Sequence, residues 1–214
     1  MEAMAIEALV ATVWELDEYL TRARWAVPTD SGQYSDIDVV GVAGQAVRLA
    51  ECKVRGPAAT VWVVPEGVDI EGWLGDWADS LVNVDRLWGA PPAWLPQGRD
   101  ATIEFWYCAN VWFPSVAVRR AADAQLTRLA AARAPRHGDR VEARFYTTLD
   151  LVIMAVERVR SAVEGRGRRF GDPILDVIRE LVRYTSARAS GGGRGASAQI
   201  VEESVARLAA AVTG

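Results

Sequence analysis

Between Gln33 and Arg55 lie the residues whose types and spacing could do chemistry. The run Tyr-Ser-Asp36-Ile-Asp38-Val-Val-Gly-Val is followed by Ala-Gly-Gln and then by Ala-Val-Arg-Leu-Ala-Glu51-Cys52-Lys53. Two alternating, β-branched runs around a short turn containing Gly44 read as a β-hairpin. Side chains along a strand repeat with period two, which puts Asp36 and Asp38 on one face of the first strand and Glu51 and Lys53 on one face of the second. Cys52 points the other way. Carboxylates gathered in an otherwise apolar hairpin are costly to bury unpaired, so they require a counter-ion or a task. Carboxylates with backbone carbonyls make a hard-oxygen site suited to Mg²⁺ or Mn²⁺. A lysine beside them can orient or deprotonate a water, or neutralise a phosphate oxygen. These parts suit metal-assisted hydrolysis of a phosphodiester.

Composition adds weight to the lysine. Among 24 Lys and Arg residues, Lys53 is the only lysine. Arginine cannot replace it: the guanidinium does not deprotonate and is a wide fork, where the ammonium is a compact point charge.

Ile37-Asp38-Val39-Val40, the spacing of 13 from Asp38 to Glu51, and Glu51-Cys52-Lys53 together resemble the PD-(D/E)xK, or restriction-endonuclease-like, nuclease superfamily. The Pro of the family's name is not present, since Ile37 precedes Asp38. The resemblance implies that Asp38, Glu51 and the carbonyl of Cys52 hold the metal and that Lys53 positions or activates water. The family often completes its site with a first-helix Glu. The setting Ile6-Glu7-Ala-Leu-Val-Ala-Thr-Val-Trp14 is similar to that motif, which makes Glu7 a fourth candidate. Glu7 lies at the edge of an apolar stripe, and a partly solvated helix edge is the competing reading. For Asp36, an auxiliary ligand competes with a place on the strand's polar edge, and the edge is preferred.

The elements that must position these residues follow from periodicity. Residues 3–24 read as an amphipathic helix, with Ile6, Leu9, Val10, Val13, Leu16 and Leu20 at helical spacing. Glu15 and Glu18 fall on its outer face, and Asp17 falls within the stripe without an explanation. Arg24–Thr29 is a short strand ended by Pro28, and Asp30-Ser31-Gly32 is a turn. After the hairpin, Ala59–Val64 is extended, Ile70–Trp88 is a helix stopped by Gly89 and Pro91-Pro92, and Ala101–Phe113 is a central strand. This order matches the αβββαβ core of the resembled family, a mixed sheet flanked by helices. Beyond it, Ser115–Ala134 is a helix, Arg140–Thr147 a strand, and Leu149–Glu164 and Pro173–Ala187 two further helices. Between these last two, Gly165–Gly171 forms a basic glycine loop. The division expected is a nuclease-like core over 1–115, a basic, mostly helical extension over 116–189 packed on the core, a Gly/Ser-rich linker over 190–196 and an amphipathic helix over 197–214. That last helix packs on its own body, exchanges with a second protomer or engages a protein partner; sequence does not choose among them.

Length bounds the chain at one sizeable core with a small accessory layer. No apolar run approaches the ~18 residues of a membrane span. The acidic, amphipathic start has no basic region of the signal-peptide kind. Two cysteines argue against a disulfide framework and for a reducing cytoplasm. Net charge is −4, yet residues 1–115 carry 7 basic and 17 acidic residues while 116–195 carry 16 and 9. An acidic, metal-attracting half and a basic half suit a metal-dependent enzyme acting on nucleic acid, and ordinary charge scatter on helices is the bland alternative. Seven of the nine tryptophans lie between 60 and 112, and core packing is the expectation for most of them, Trp94 in its Pro-rich loop excepted. His137 reads as a surface residue in a turn, leaving no zinc signature.

The functional expectation is a Mg²⁺- or Mn²⁺-dependent nuclease acting on DNA, with RNA as the other substrate class, in a restriction, defence or repair role. Double-strand cleavage would favour a homodimer. The alternative is a catalytically silent protein of the same fold that serves as a nucleic-acid- or protein-binding scaffold. A glycosyltransferase-like reading of Asp36-x-Asp38 lacks any nucleotide-binding context.

Overall fold

The computed structural model describes residues 3–54, 61–96, 101–166 and 175. The chain forms two compact units, Met1–Ile153 and Met154–Gly214. The first is α/β, built on a mixed five-stranded sheet flanked by helices. Helix α1 (Ala3–Leu16) leads into β1 (Leu20–Pro28), β2 (Tyr34–Ala43) and β3 (Ala46–Lys53). Then come β4 (Trp62–Val63), α2 (Ile70–Leu74), a 3-10 helix (Gly75–Val82) and α3 (Asn83–Gly89). Next are β5 (Thr102–Ala109), β6 (Val111–Trp112), α4 (Val116–Arg133), β7 (Val141–Thr147) and α5 (Thr148–Arg166), which opens in the first unit.

The sheet order is β1-β2-β3-β5-β7. The first three strands form an antiparallel meander, while β5 runs parallel to β3 and β7 parallel to β5. A parallel pair cannot be closed by a tight turn, so a helix must carry the chain back. Between β5 and β7 that helix is α4, which Ser115 caps by accepting the Val118 amide. Its face of Val118, Ala122, Leu126, Leu129 and Ala130 is buried in the main core with Leu49, Phe105, Tyr107 and Phe145. Helix α1 presents Trp14 edge-on to Trp106 of β5. Strand β7 alternates buried and exposed as its sequence predicts.

Four expectations change. Helix α1 ends at Leu16, not 24, and β1 begins at Leu20. Glu18 takes a left-handed conformation (φ 67°), while the Tyr19 amide donates to Trp14 O at 2.9 Å and the Glu18 amide to Glu15 O at 3.1 Å. This is a Schellman termination with Glu in the place usually held by Gly. The expected helix over Ile70–Trp88 is broken at Gly75 (φ 56°) into α2, the 3-10 segment and α3. The central strand over 101–113 is interrupted at Asn110, so that Val111–Trp112 pairs with Trp62–Val63 in a separate ribbon. Finally, α4 and β7 belong to the sheet unit, because both bury apolar faces in its core, and the boundary expected at 115 falls inside that unit.

In the second unit, the described residues are the α5 continuation to Arg166, where Ala155 and Val159 are buried, and Leu175. The basic loop beyond Arg166, the helix expected over 173–187, the linker and the C-terminal helix lie outside the described residues, Leu175 apart. No helix among the described residues is long and apolar enough to cross a membrane.

Candidate functional site

The site grows from the point where β2 lets go of both its neighbours. Against β1, β2 pairs Val39–Val42 with Leu20–Ala23 and then Tyr34–Ile37 with Trp25–Pro28. The position skipped between these two runs is Arg24 opposite Asp38. Against β3, pairing runs from Ala43↔Ala46 to Val39↔Ala50 and stops just before Asp38 would meet Glu51. The alternation of the strand also slips here: Ile37 and Val40, three residues apart, enter the same buried cluster. Arg24 has φ 52° in the middle of β1, a left-handed backbone that costs a non-glycine residue about 1–2 kcal/mol. Strain of this kind persists only where the surroundings over-determine it, and functional sites are where it concentrates.

In the gap, the side chain of Asp38 takes over the role of a ladder acceptor. Its Oδ2 accepts the Cys52 amide at 2.6 Å. Strand β3 remains paired on its other side, with Glu51↔Tyr107, Cys52↔Cys108 and Lys53↔Ala109, so Glu51 and Lys53 stand on a rigid support. Lys53 Nζ and Glu51 Oε1 form an ion pair. Glu51 is buried, whereas Asp38 and Lys53 are half-buried. Asp36 is exposed, as the polar-edge reading expects.

These groups perturb one another. Burial pushes the Glu51 carboxyl up to about 7; the Asp38 charge pushes the same way, against Lys53. Burial also raises Asp38, opposed by the Cys52 amide and by Lys53, while Glu7 adds to the rise and Arg24 subtracts from it. For Lys53, burial works against the ammonium, but Glu51 and Asp38 outweigh it and hold the amine above its usual range. Cys52 is paired with the Cys108 thiol, which together with burial pushes its own thiol far up. Both cysteines are free and buried.

Glu7 on α1 is 8 % exposed, so the solvated-edge alternative does not describe it. It turns to Arg24, whose Nε donates to Glu7 Oε2 at 3.2 Å. Among the described residues, no three Asp, Glu, His or Cys side chains come together as a metal-holding group. The structure therefore brings Asp38, Glu51 and Lys53 into one cluster and places Glu7 beside it through Arg24. Arg24 itself is missed by sequence reading, because ending the helix and starting the strand at residue 24 puts it at a junction and not in the middle of β1. Once β1 starts at Leu20, the register alone sets Arg24 opposite Asp38.

His137 also differs from its expected place on the surface. Its Nδ1 lies 2.8 Å from Asp85 Oδ1, its ring stacks on Trp88 with centroids 5.4 Å apart, and its side chain is only 20 % exposed.

No family model matches the chain, and none of the curated proteins does. Among solved structures the chain is similar to a protein of unknown function, AF1548, at 12 % identity and a TM-score of 0.35, over 89 % of this chain and 100 % of that one. A likeness so distant carries no argument about fold or function.

Proposed function

We propose that this protein is a Mg²⁺- or Mn²⁺-dependent nuclease that hydrolyses DNA phosphodiester bonds from a restriction-endonuclease-like core. One observation carries the reading. Two carboxylates from adjacent strands, Asp38 and Glu51, meet where β2 and β3 part, each pushed above its usual pKa, with the chain's sole lysine against them. Burial and the Asp38 charge disfavour ionisation of Glu51, and burial and the Glu7 charge disfavour that of Asp38, which leaves a partly desolvated place short of positive charge. A hard divalent cation fits that deficit. Mg²⁺ needs only one or two carboxylates and fills its remaining positions with water. Asp38 and Glu51 would hold it, with the carbonyl of Cys52 as a third protein oxygen. When bound, such an ion polarises a phosphoryl oxygen and lowers the pKa of a bound water.

The chain's own residues set the rest. Lys53 is held as the ammonium by its carboxylate neighbours, so neutralising charge on a phosphate oxygen suits it better than taking a proton. Glu7 acts through Arg24 and helps to fix the cluster's charge. The grip on nucleic acid is narrower than the count of basic residues suggests. Arg119 is committed to Asp150, Arg133 to Glu71 and Asp79, and Arg144 to Glu142. Arg120 and Arg128 remain exposed on α4. The two buried, reduced cysteines suit a reducing, cytoplasmic setting.

The test is cleavage of supercoiled, linear and single-stranded DNA with Mg²⁺ or Mn²⁺, wild type beside Lys53→Ala and Asp38→Ala. Wild type is expected to cut, with either substitution lowering the rate by about 10²-fold or more. No cutting, together with no metal binding by calorimetry that Asp38→Ala removes, would defeat the reading. A catalytically silent scaffold is the second reading. One observation favours it: Glu51 already has Lys53 and Asp38 already has the Cys52 amide as partner.

A further inference from the structure

The backbone conformation of Arg24 and its place in the sheet call for an explanation that the carboxylates do not supply. Arg24 is left-handed within a strand and occupies the one skipped position between two runs of β1–β2 pairing. Its side chain is 55 % exposed, yet it is tied at Nε to the buried carboxylate of Glu7. Its charge reaches Asp38, which faces it across the gap. Nε is the inner nitrogen of the guanidinium, and the planar fork beyond it is the side chain best shaped to take two oxygens of one phosphate.

Charge shows what this arrangement would recognise. The carboxylates of Glu7, Asp38 and Glu51, with the Asp36 charge also felt at Glu51, outnumber Lys53 and Arg24. A divalent cation offsets that excess but adds no group shaped to take a phosphate. Arg24 is an exposed cation beside the cluster that can meet the negative charge of a phosphodiester, and without it the loaded cluster would be one charge more negative.

We propose that Arg24 is a substrate-binding residue of this site: its guanidinium, anchored through Nε by Glu7 and set opposite Asp38 by the register of β1 on β2, takes the phosphate of the nucleic-acid strand. The inference rests on the nuclease reading above and adds to it the group that holds the phosphodiester. Glu7 is thereby a positioning residue, acting through Arg24 and not as a metal ligand.

The experiment compares wild type, Arg24→Gln, Arg24→Lys and Arg22→Gln. Arg22 is a nearby control on the same strand that lies over Trp25 and is not paired with Glu7. Gln keeps a donor for Glu7 while removing the charge. Steady-state cleavage of a labelled DNA duplex is followed across salt concentrations, and Mn²⁺ binding to the free protein is followed by calorimetry. Arg24→Gln is expected to raise KM about tenfold with kcat changed much less, and to flatten the dependence of log(kcat/KM) on log[salt] by about one phosphate contact. Mn²⁺ binding should be unchanged or tighter, because a cation has left the neighbourhood of the carboxylates. Arg24→Lys should recover part of the loss, and Arg22→Gln should show neither effect. A residue that only held the fold together would weaken metal and DNA alike. The proposal is overturned if Arg24→Gln leaves KM and the salt dependence at wild-type values, or if Mn²⁺ and DNA binding fall together. If wild type neither cuts DNA nor binds Mn²⁺, the nuclease reading fails and this inference goes with it, an outcome distinct from a wild type that cuts and an Arg24→Gln that matches it.

Discussion

A single residue, Glu51, ties the chemistry of the cluster to the stability of the fold. Its carboxyl, normally near 4.5, is raised to about 7 in the folded chain. Between those pH values the native state holds a proton that the unfolded chain has released. Stability of the metal-free protein therefore falls as pH rises from about 4.5 to about 7 and stays lower above that, by about 3 kcal/mol for a shift of this size. Glu51→Gln removes the titration. At pH 8 the variant should be more stable than wild type by about the same 3 kcal/mol, a difference that already contains the Lys53 ion pair, and at pH 4.5 the two should match. Urea denaturation at both pH values reads this directly, and a variant less stable at pH 8 would mean that Lys53 more than offsets the burial of the charge. At this scale the sequence was a good guide where chemistry is local. Asp38, Glu51 and Lys53 are set on adjacent strands by period-two spacing within a hairpin. Long-range partners were illegible. Asp17, inexplicable in a helix stripe, meets Arg48 Nη1 at 2.9 Å, and Arg48 also takes Glu104 at 3.0 Å and lies over the rings of Tyr19 and Trp106. Nothing in the run around residue 17 announces residues 48 or 104.

Among the elements, those with strong periodicity and clear punctuation were legible: the hairpin, α4 and β7. The C-terminal end of α1 and the segment over 70–88 were not. In both, one residue adopts positive φ without announcing it: Glu18 is a residue seldom found left-handed, and Gly75 sits inside an unbroken apolar period. Glu18 is exposed and ends α1 against its own preference. Glu18→Gly should therefore stabilise the protein by about 1 kcal/mol, with Glu18→Val destabilising, as read by thermal melts of the metal-free chain. How α1 seats on the sheet depends on a different glycine. A Cβ built on Gly41 of β2 would come within 2.7 Å of Trp14 Cε3 and 3.3 Å of Tyr19 Cδ1. The restriction is one of space, since Gly41 is not among the positive-φ glycines. Gly41→Ala should cost about 1–3 kcal/mol by forcing Trp14, fully buried, off its place against Trp106. Because α1 also carries Glu7, the same variant should loosen the Glu7–Arg24 pair. A variant as stable as wild type would mean that the indole relaxes freely, contrary to its tight packing.

For the whole molecule, β3 is the strand on which two architectures meet. It is antiparallel to β2 on one side and parallel to β5 on the other. The hairpin half is assembled from near neighbours in sequence, whereas the parallel half requires two crossovers, one through α2, the 3-10 segment and α3 and one through α4. Asp38 comes from the first half. Glu51 and Lys53 stand on the strand shared by both, so the hairpin brings the cluster together and the pairing of β3 with β5 holds it rigid, which makes its geometry depend on both halves. That dependence makes the site a probe of global folding. A ligand that binds the assembled pair of carboxylates and not the unfolded chain stabilises the fold by mass action, about 2.7 kcal/mol at a concentration one hundred times its Kd. For a protein of this size that corresponds to roughly 5–10 °C in Tm. Mn²⁺ should accordingly raise the Tm of wild type. Asp38→Asn, whose amide oxygen can still accept from Cys52, should abolish the increment while leaving the metal-free Tm close to or above that of wild type. The contrast matters because Asp38→Ala would leave the Cys52 amide without its acceptor and lower stability for an unrelated reason. Glu51→Gln should also lose the increment, and Lys53→Met should keep it, since a cation adjoining the pair opposes metal binding. Equal Mn²⁺ shifts in wild type and Asp38→Asn would place the bound cation elsewhere in the molecule and separate the carboxylate pair from metal chemistry altogether.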